Sequence, residues 1–184
     1  MSKKYDMNDL SKMRLKDREV KDAKEIKDIL SKASYGNIAT VMDDQPFITM
    51  TVFVYDEETH SIYMHTSKYG RLCANVGQSN KVCFSVGKIG RMLPSEFARE
   101  FSNEYESVVC FGTIEVMDDM KTARDKMHLM IDKYFPHLEK EKDYRPITES
   151  EIKEIATYKI SIDSWSGKKK EVEKDFPGAI IFNL

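Results

Sequence analysis

The sequence predicts a mainly β fold, six antiparallel strands with peripheral helices, and three observations carry that expectation. Runs rich in β-branched and aromatic residues recur at 37–42, 47–55, 60–65, 81–87 and 106–117, with an alternating pattern at 158–162. Short polar turns, Asp43-Asp44-Gln45-Pro46 and Asp56-Glu57-Glu58, join the first three runs into an antiparallel meander. Helical periodicity is confined to short stretches between or after the strands. Closure into a small barrel removes exposed strand edges and is the expected architecture; an open α+β sheet is the other one the pattern allows.

The first periodic element begins at Asp22, a capping residue with Glu25 three positions on. Ala23, Ile26, Ile29, Leu30 and Ala33 follow at helical spacing, and Gly36 is expected to stop the helix. After the meander, 72–76 reads as a short helix and 81–87 as a strand. Residues 88–105, with Pro94, form a connection longer than an ordinary loop, expected to lie over the barrel as a flap or a partly helical segment around 94–101. Its Phe97, Phe101 and Tyr105 could cover a substrate pocket or stabilise a dimer. Beyond the 106–117 strand, Asp118 or Asp119 caps a helix with Ala123, Met127, Met130, Ile131 and Tyr134 on one face, ended by Pro136. Met127 and Met130 read as core residues. Thr148 and Glu151 make a second capping box before a short helix through Ile155.

At 184 residues, 41% hydrophobic and 33% charged, the chain is sized for one domain over 1–184, with 1–12 expected as a flexible arm. The 29 basic and 31 acidic residues give a net charge of −2, with no basic run to attract nucleic acid. No apolar signal segment and no window approaching about 18 apolar residues is present, so no membrane span is expected and the cytoplasm is the expected compartment. Cys73, Cys83 and Cys110 are odd in number and lack CxxC spacing, which argues against a disulfide framework and a structural zinc site. They read as small buried hydrophobes, with Cys73 near a helix start open to a lowered pKa. His128 and His137 are too far apart to bind metal on one helical face, and no metal site is expected. No Ser-His-Asp signature, glycine–serine elbow or carboxylate pair marks a protein nucleophile, so catalytic residues stay unassigned.

The most informative segment is His65-Thr66-Ser67-Lys68-Tyr69-Gly70-Arg71, between a strand and a helix start. Hydroxyls, a glycine for the turn and fixed positive charge stand where helix N–H groups point outward, so the segment reads as a phosphate cradle. Arg71 would grip the phosphate, or form a surface ion pair.

The order of Gly36-Asn37-Ile38-Ala39-Thr40, Pro46-Phe47, Ile62-Tyr63-Met64-His65-Thr66-Ser67, Gly70-Arg71, Asn80-Lys81-Val82-Cys83-Phe84, Tyr105-Glu106-Ser107-Val108-Val109 and Phe111-Gly112 resembles the FMN-binding split barrels related to pyridoxamine 5′-phosphate oxidase. It is similar in particular to the branch containing the 5-nitroimidazole reductase (Nim) antibiotic-resistance proteins. The resemblance runs from Met13-Arg14-Leu15 to Ser166-Gly167-Lys168. It implies a six-stranded split β-barrel and a homodimer with FMN at the subunit interface.

Residue by residue, the resemblance implies that Ser67 and Arg71 bind the FMN phosphate, with Thr66, Lys68 and Gly70 close by. The family often has a lysine after this arginine; here Leu72 stands there, and Lys68 can supply the charge. The strand 47–53, with Thr49, Met50 and Thr51, would run along the flavin ring through its backbone. Ser107 would lie in an interface strand in which Gly112 permits close backbone approach, and Trp165 would sit near the flavin or serve packing. His65 would contact substrate or flavin, or be a hydrogen-bonded interface histidine. The implied activity is FMN-dependent reduction of a small planar or electron-poor substrate. Its alternatives are a non-catalytic flavin- or haem-binding module and a structural dimer with an empty site.

Overall fold

A computed structural model describes residues 9–182, so residues 1–8 of the expected arm lie outside the described residues. A 3-10 turn at Lys16–Arg18 and β1 (Glu19–Val20) lead to α1 (Ala23–Lys32), then β2 (Gly36–Met42), β3 (Gln45–Thr51), β4 (Val54–Asp56), β5 (Ser61–Ser67) and α2 (Arg71–Gln78). The long strands β6 (Lys81–Leu93) and β7 (Ser102–Val116) follow, then α3 (Met120–Tyr134), α4 (Glu149–Glu154), β8 (Ile155–Lys170) and β9 (Ile180–Ile181). The strands form one sheet in the order β3-β2-β6-β7-β8-β5-β4, with β1 on β8 and β9 on β6. β1 with β8, β2 with β3, β4 with β5, β5 with β8 and β6 with β9 all pair antiparallel. The strand path is open, ending on β3 and β4; with β1 and β9 the sheet counts nine strands among the described residues, where six were expected. The mainly β, split-barrel type of fold stands; the closure expected from edge removal does not extend to these two end strands.

Local chemistry accounts for the element ends. Asp22 caps α1 by accepting from the Lys24 N–H, while Glu25, expected to complete a capping box, pairs with Lys169 instead. Asp119 caps α3 through the Thr122 N–H, and Thr148 with Glu151 forms the full reciprocal box on α4. The β2–β3 hairpin turns on Asp43 and Asp44, both at positive φ (50° and 59°), the handedness a two-residue hairpin needs. Pro46 is tolerated because β3 ends the sheet.

Three expectations need correction. Gly36 does not stop α1: Ala33 is the C-cap, and Gly36 opens β2, where a Cβ would run into the Phe84 ring. The strand expected over 47–55 is broken at 52–53, so that β3 pairs with β2 while β4 pairs with β5. Most of the expected 88–105 connection is strand, since β6 runs to Leu93 and β7 begins at Ser102, leaving a short link with a 3-10 turn at Ala98–Glu100. The glycines and charges there weakened the apolar pattern, but ladder hydrogen bonds use backbone groups that every such residue carries.

The chain gathers into two compact units. One takes the described parts of Met1–Ala33, Ser85–Cys110 and Ser164–Leu184; the other takes Ser34–Phe84 and Phe111–Asp163. In the first, Arg91 binds the Glu104 carboxylate through two nitrogens and reaches the carbonyls of Val172, Glu173 and Lys174, tying the tail to β6. That guanidinium holds the Glu104 carboxyl at about 2. In the second, Val54, Tyr63, Ala123, Met127, Met130 and Ile152 form a buried cluster beneath α3 and α4. The Lys126 ammonium and the Asp56 carboxylate, 2.7 Å apart, fasten α3 to β4. Gly112 does serve a close approach, to the Ser161 carbonyl of the same chain. No helix among the described residues is long and apolar enough to cross a membrane.

Candidate functional site

The phosphate-like segment occupies the end of β5, a turn and the first residue of α2, all within the second unit. β5 is held in register by β8, with His65 opposite Thr157, Thr66 opposite Ala156 and Ser67 opposite Ile155. Gly70, at φ 129°, turns the chain into α2 in a conformation that a side chain would strain. No side chain caps α2, so its first N–H groups remain available to a ligand. The Tyr69 N–H donates to Ser67 Oγ at 3.2 Å and shapes the turn.

Ser67, Lys68, Gly70 and Arg71 are exposed, and Thr66 is half-buried. Among the described residues the Arg71 guanidinium faces no carboxylate; it lies 5.5 Å from the centre of the Phe47 ring. The surface ion pair considered for Arg71 is therefore not made here. An unpaired guanidinium, a lysine, a hydroxyl and an uncapped helix start together favour an anion carrying several oxygen acceptors. The helix itself is fixed from beneath by buried Leu72 and by Asn75, whose side-chain amide donates to Thr40 Oγ1 at 2.8 Å. Leu72 points into the core in this register, so the position after Arg71 supplies packing and no second cation.

Thr49, Met50 and Thr51 pair with Ile38, Asn37 and Gly36 of β2. Since β3 ends the sheet, its outer backbone groups have no neighbouring strand. Strand alternation puts Thr49 and Thr51 on the Phe47 face and Met50, 68% exposed, on the other. The Phe47 side chain, the one that Arg71 lies against, was not singled out from the sequence, because nothing local distinguishes it from any edge-strand aromatic. Ser107 and Trp165 belong to the first unit: Ser107 is half-buried on β7, and Trp165 lines a polar crevice of about 420 Å³ with Lys16, Glu19 and Ser166.

His65 is half-buried, and its Nδ1 is shielded from solvent without a hydrogen-bond partner. Burial pushes its pKa below the ordinary histidine value, so the ring is neutral at physiological pH. The ring stands on the wall of a half-open cavity of about 480 Å³, otherwise built by Val52, by α3 and α4 residues including Met127, Met130, Tyr134 and Ile152, and by Phe135, Ile147 and Ile155. Met127 and Met130 are buried core residues as expected, and they also face this cavity. Helical periodicity reports an apolar face and is silent on whether that face is fully covered.

Among the described residues the three cysteines form no disulfide; Cys110 is buried, Cys73 and Cys83 are half-buried, and burial pushes the Cys83 thiol up. Among the described residues no cluster of three His, Cys, Asp or Glu side chains could hold a metal ion.

The model of the family described as pyridoxamine 5′-phosphate oxidase matches residues 22–169. Solved structures share the fold at low identity. One is a protein from Bacteroides thetaiotaomicron provisionally described as a 5-nitroimidazole antibiotic resistance protein, with 19% identity, 83% of this chain and 90% of that chain covered, and a TM-score of 0.69. Another is the flavocytochrome Anf3 from Azotobacter vinelandii, at 23% identity, 90% and 80% coverage and a TM-score of 0.73. A third is a FAD and heme binding protein from Mycobacterium smegmatis, at 21% identity, 86% and 76% coverage and a TM-score of 0.76. No curated protein matches the chain.

Proposed function

The chain belongs to the pyridoxamine 5′-phosphate oxidase family, and from that premise we propose that it binds a flavin, FMN in our reading, to reduce a small planar or electron-poor substrate. The observation that carries this reading is the convergence of Ser67, Lys68 and the unpaired Arg71 on the uncapped start of α2. These groups suit a phosphate monoester: Arg71 offers a two-pronged donor, Ser67 a hydroxyl, and α2 its free N–H groups. Thr66 and Gly70 shape the turn, and the outer edge of β3 at Thr49, Met50 and Thr51 offers backbone donors and acceptors to the polar rim of a ring system. In this reading His65, its pKa lowered by burial, meets the substrate. Ser107 and Trp165 enter on the family resemblance alone. When bound, the flavin supplies hydride or electron transfer, and the protein supplies binding, orientation and exclusion of water. The reading extends to a single-domain, cytoplasmic homodimer with the flavin at the subunit interface. Relatives named for 5-nitroimidazole resistance and for flavin binding support it.

Titration of the purified protein with FMN, followed by flavin fluorescence, tests the proposal. Hydrogen bonds to a charged partner contribute about 1.5–3 kcal/mol, so Arg71→Ala should weaken FMN binding about 10- to 100-fold. Melting of the flavin-free protein should not change, because Arg71 is exposed. Unchanged FMN affinity would remove the phosphate assignment, and FAD titrated in parallel decides between the two flavins. A second reading, flavin or haem binding without turnover, draws on the names of two of the similar structures and on the free His65 nitrogen. A bound flavin that stays oxidised with both NADH and NADPH, or a Soret band on haem addition, would favour it.

A further inference from the structure

The cavity beside His65 has a chemistry of its own. Its volume, about 480 Å³, falls within the range of small-molecule sites. Its walls are apolar, supplied by Val52, Met127, Met130, Ile131 and Ile152. The polar side chains on the wall are already committed, with one exception. The Tyr134 hydroxyl accepts from the Phe53 N–H and lies within donating distance of the Phe53 and Ser34 carbonyls. The Glu151 carboxylate accepts from both Arg145 nitrogens and from the Thr148 N–H and hydroxyl. The exception is His65: its Nδ1 is shielded from solvent without a partner, its ring makes no hydrogen bond among the described residues, and Nε2 is the nitrogen left for a ligand to meet.

Among the described residues no lysine or arginine lines the cavity. The cations of α3 that lie nearest in sequence to its lining residues are engaged elsewhere, Lys126 by Asp56 and Lys133 by the Phe53 carbonyl. A carboxylate or phosphate placed here would lose its hydration without a compensating charge, which is strongly unfavourable. An uncharged molecule meets no such penalty, and its burial against the methionine and isoleucine walls is favourable.

We propose that this cavity binds an uncharged, largely apolar small molecule carrying one hydrogen-bonding group, which meets His65. The proposal deepens the functional reading by naming the chemical class of the substrate, and it rests on that reading only for the molecule's being reduced. Occupancy of the cavity does not depend on a flavin.

Three probes with the same fused rings separate the possibilities: 2-naphthol, uncharged with one hydroxyl; naphthalene, without it; and 2-naphthoate, an anion. Fluorescence titration of the full-length protein at neutral pH, with and without FMN, should show 2-naphthol binding at least tenfold more tightly than 2-naphthoate. In His65→Phe the preference for 2-naphthol over naphthalene should fall about tenfold, the scale of one hydrogen bond. Ile131→Trp, which fills the cavity from a half-buried position, should abolish binding of both while FMN affinity stays as in the wild type. The wild-type selectivity series needs no variant to fold. Equal binding of the anion, an unchanged preference in His65→Phe, or no binding of any probe overturns the proposal. FMN bound without 2-naphthol sinks this inference alone; 2-naphthol bound without FMN sinks the flavin reading and leaves the cavity assignment standing.

Discussion

Removing one oxygen atom, in Tyr134→Phe, tests how the break between β3 and β4 is held. At that break Phe53, fully buried, lacks strand partners for its backbone groups, and α3 supplies them. The Tyr134 hydroxyl accepts from the Phe53 N–H at 3.1 Å and stands 2.9 Å from the Ser34 carbonyl and 3.1 Å from the Phe53 carbonyl. In the variant the Phe53 carbonyl keeps Lys133 Nζ at 3.1 Å, and the Ser34 carbonyl has access to water. The Phe53 N–H is the group left stranded. A buried unsatisfied donor costs about 1–3 kcal/mol and the lost donated bond about 1 kcal/mol, so we expect a loss of about 2–4 kcal/mol. That is a large share of a typical stability of about 5–15 kcal/mol. For a chain of this length each kcal/mol moves Tm by about 2–4 °C, so the variant should melt about 4–16 °C lower. Urea unfolding should show a lower midpoint with an unchanged slope. A loss under about 0.5 kcal/mol would refute the reasoning, because it would mean that the Phe53 N–H finds another partner at no cost.

Gly36→Ala places a methyl group where the buried Phe84 ring stands, so a loss of about 1–3 kcal/mol is expected in urea unfolding; a neutral result would show that the ring moves freely. Glu104→Gln tests the Arg91 tie. The folded pKa of Glu104, about 2, lies below its ordinary 4.5, so its stabilisation is fully present above about 4.5 and is lost as pH falls through about 2. The variant should therefore unfold more easily than the wild type at pH 7, with the gap closing between those values; a gap independent of pH would assign the effect to shape instead of charge.

How much of this was legible in the chain follows from the range of the interactions involved. The caps at Asp22, Asp119 and Thr148 and the positive-φ pair Asp43-Asp44 are local, and each sits where a sequence pattern announces it. The phosphate-like turn was legible for the same reason: Ser67, Lys68, Gly70 and Arg71 act within five consecutive residues. Gly36 was misread because its reason for being glycine is Phe84, 48 positions away. The extent of β6 and β7 was underestimated because pairing recruits backbone groups whatever the side chains.

By itself, then, the sequence determined the class of fold, the antiparallel hairpins, the capped starts of α1, α3 and α4 and the composition of the turn from Ser67 to Arg71, since each depends on neighbours within a few residues. Tertiary structure alone decided that β3 ends the sheet, that Leu72 turns inward and Arg71 lies against Phe47, and that α3 and α4 leave a cavity beside His65. Those outcomes depend on which distant surfaces meet and how completely they fill the space between them, and periodicity along a chain carries no measure of either.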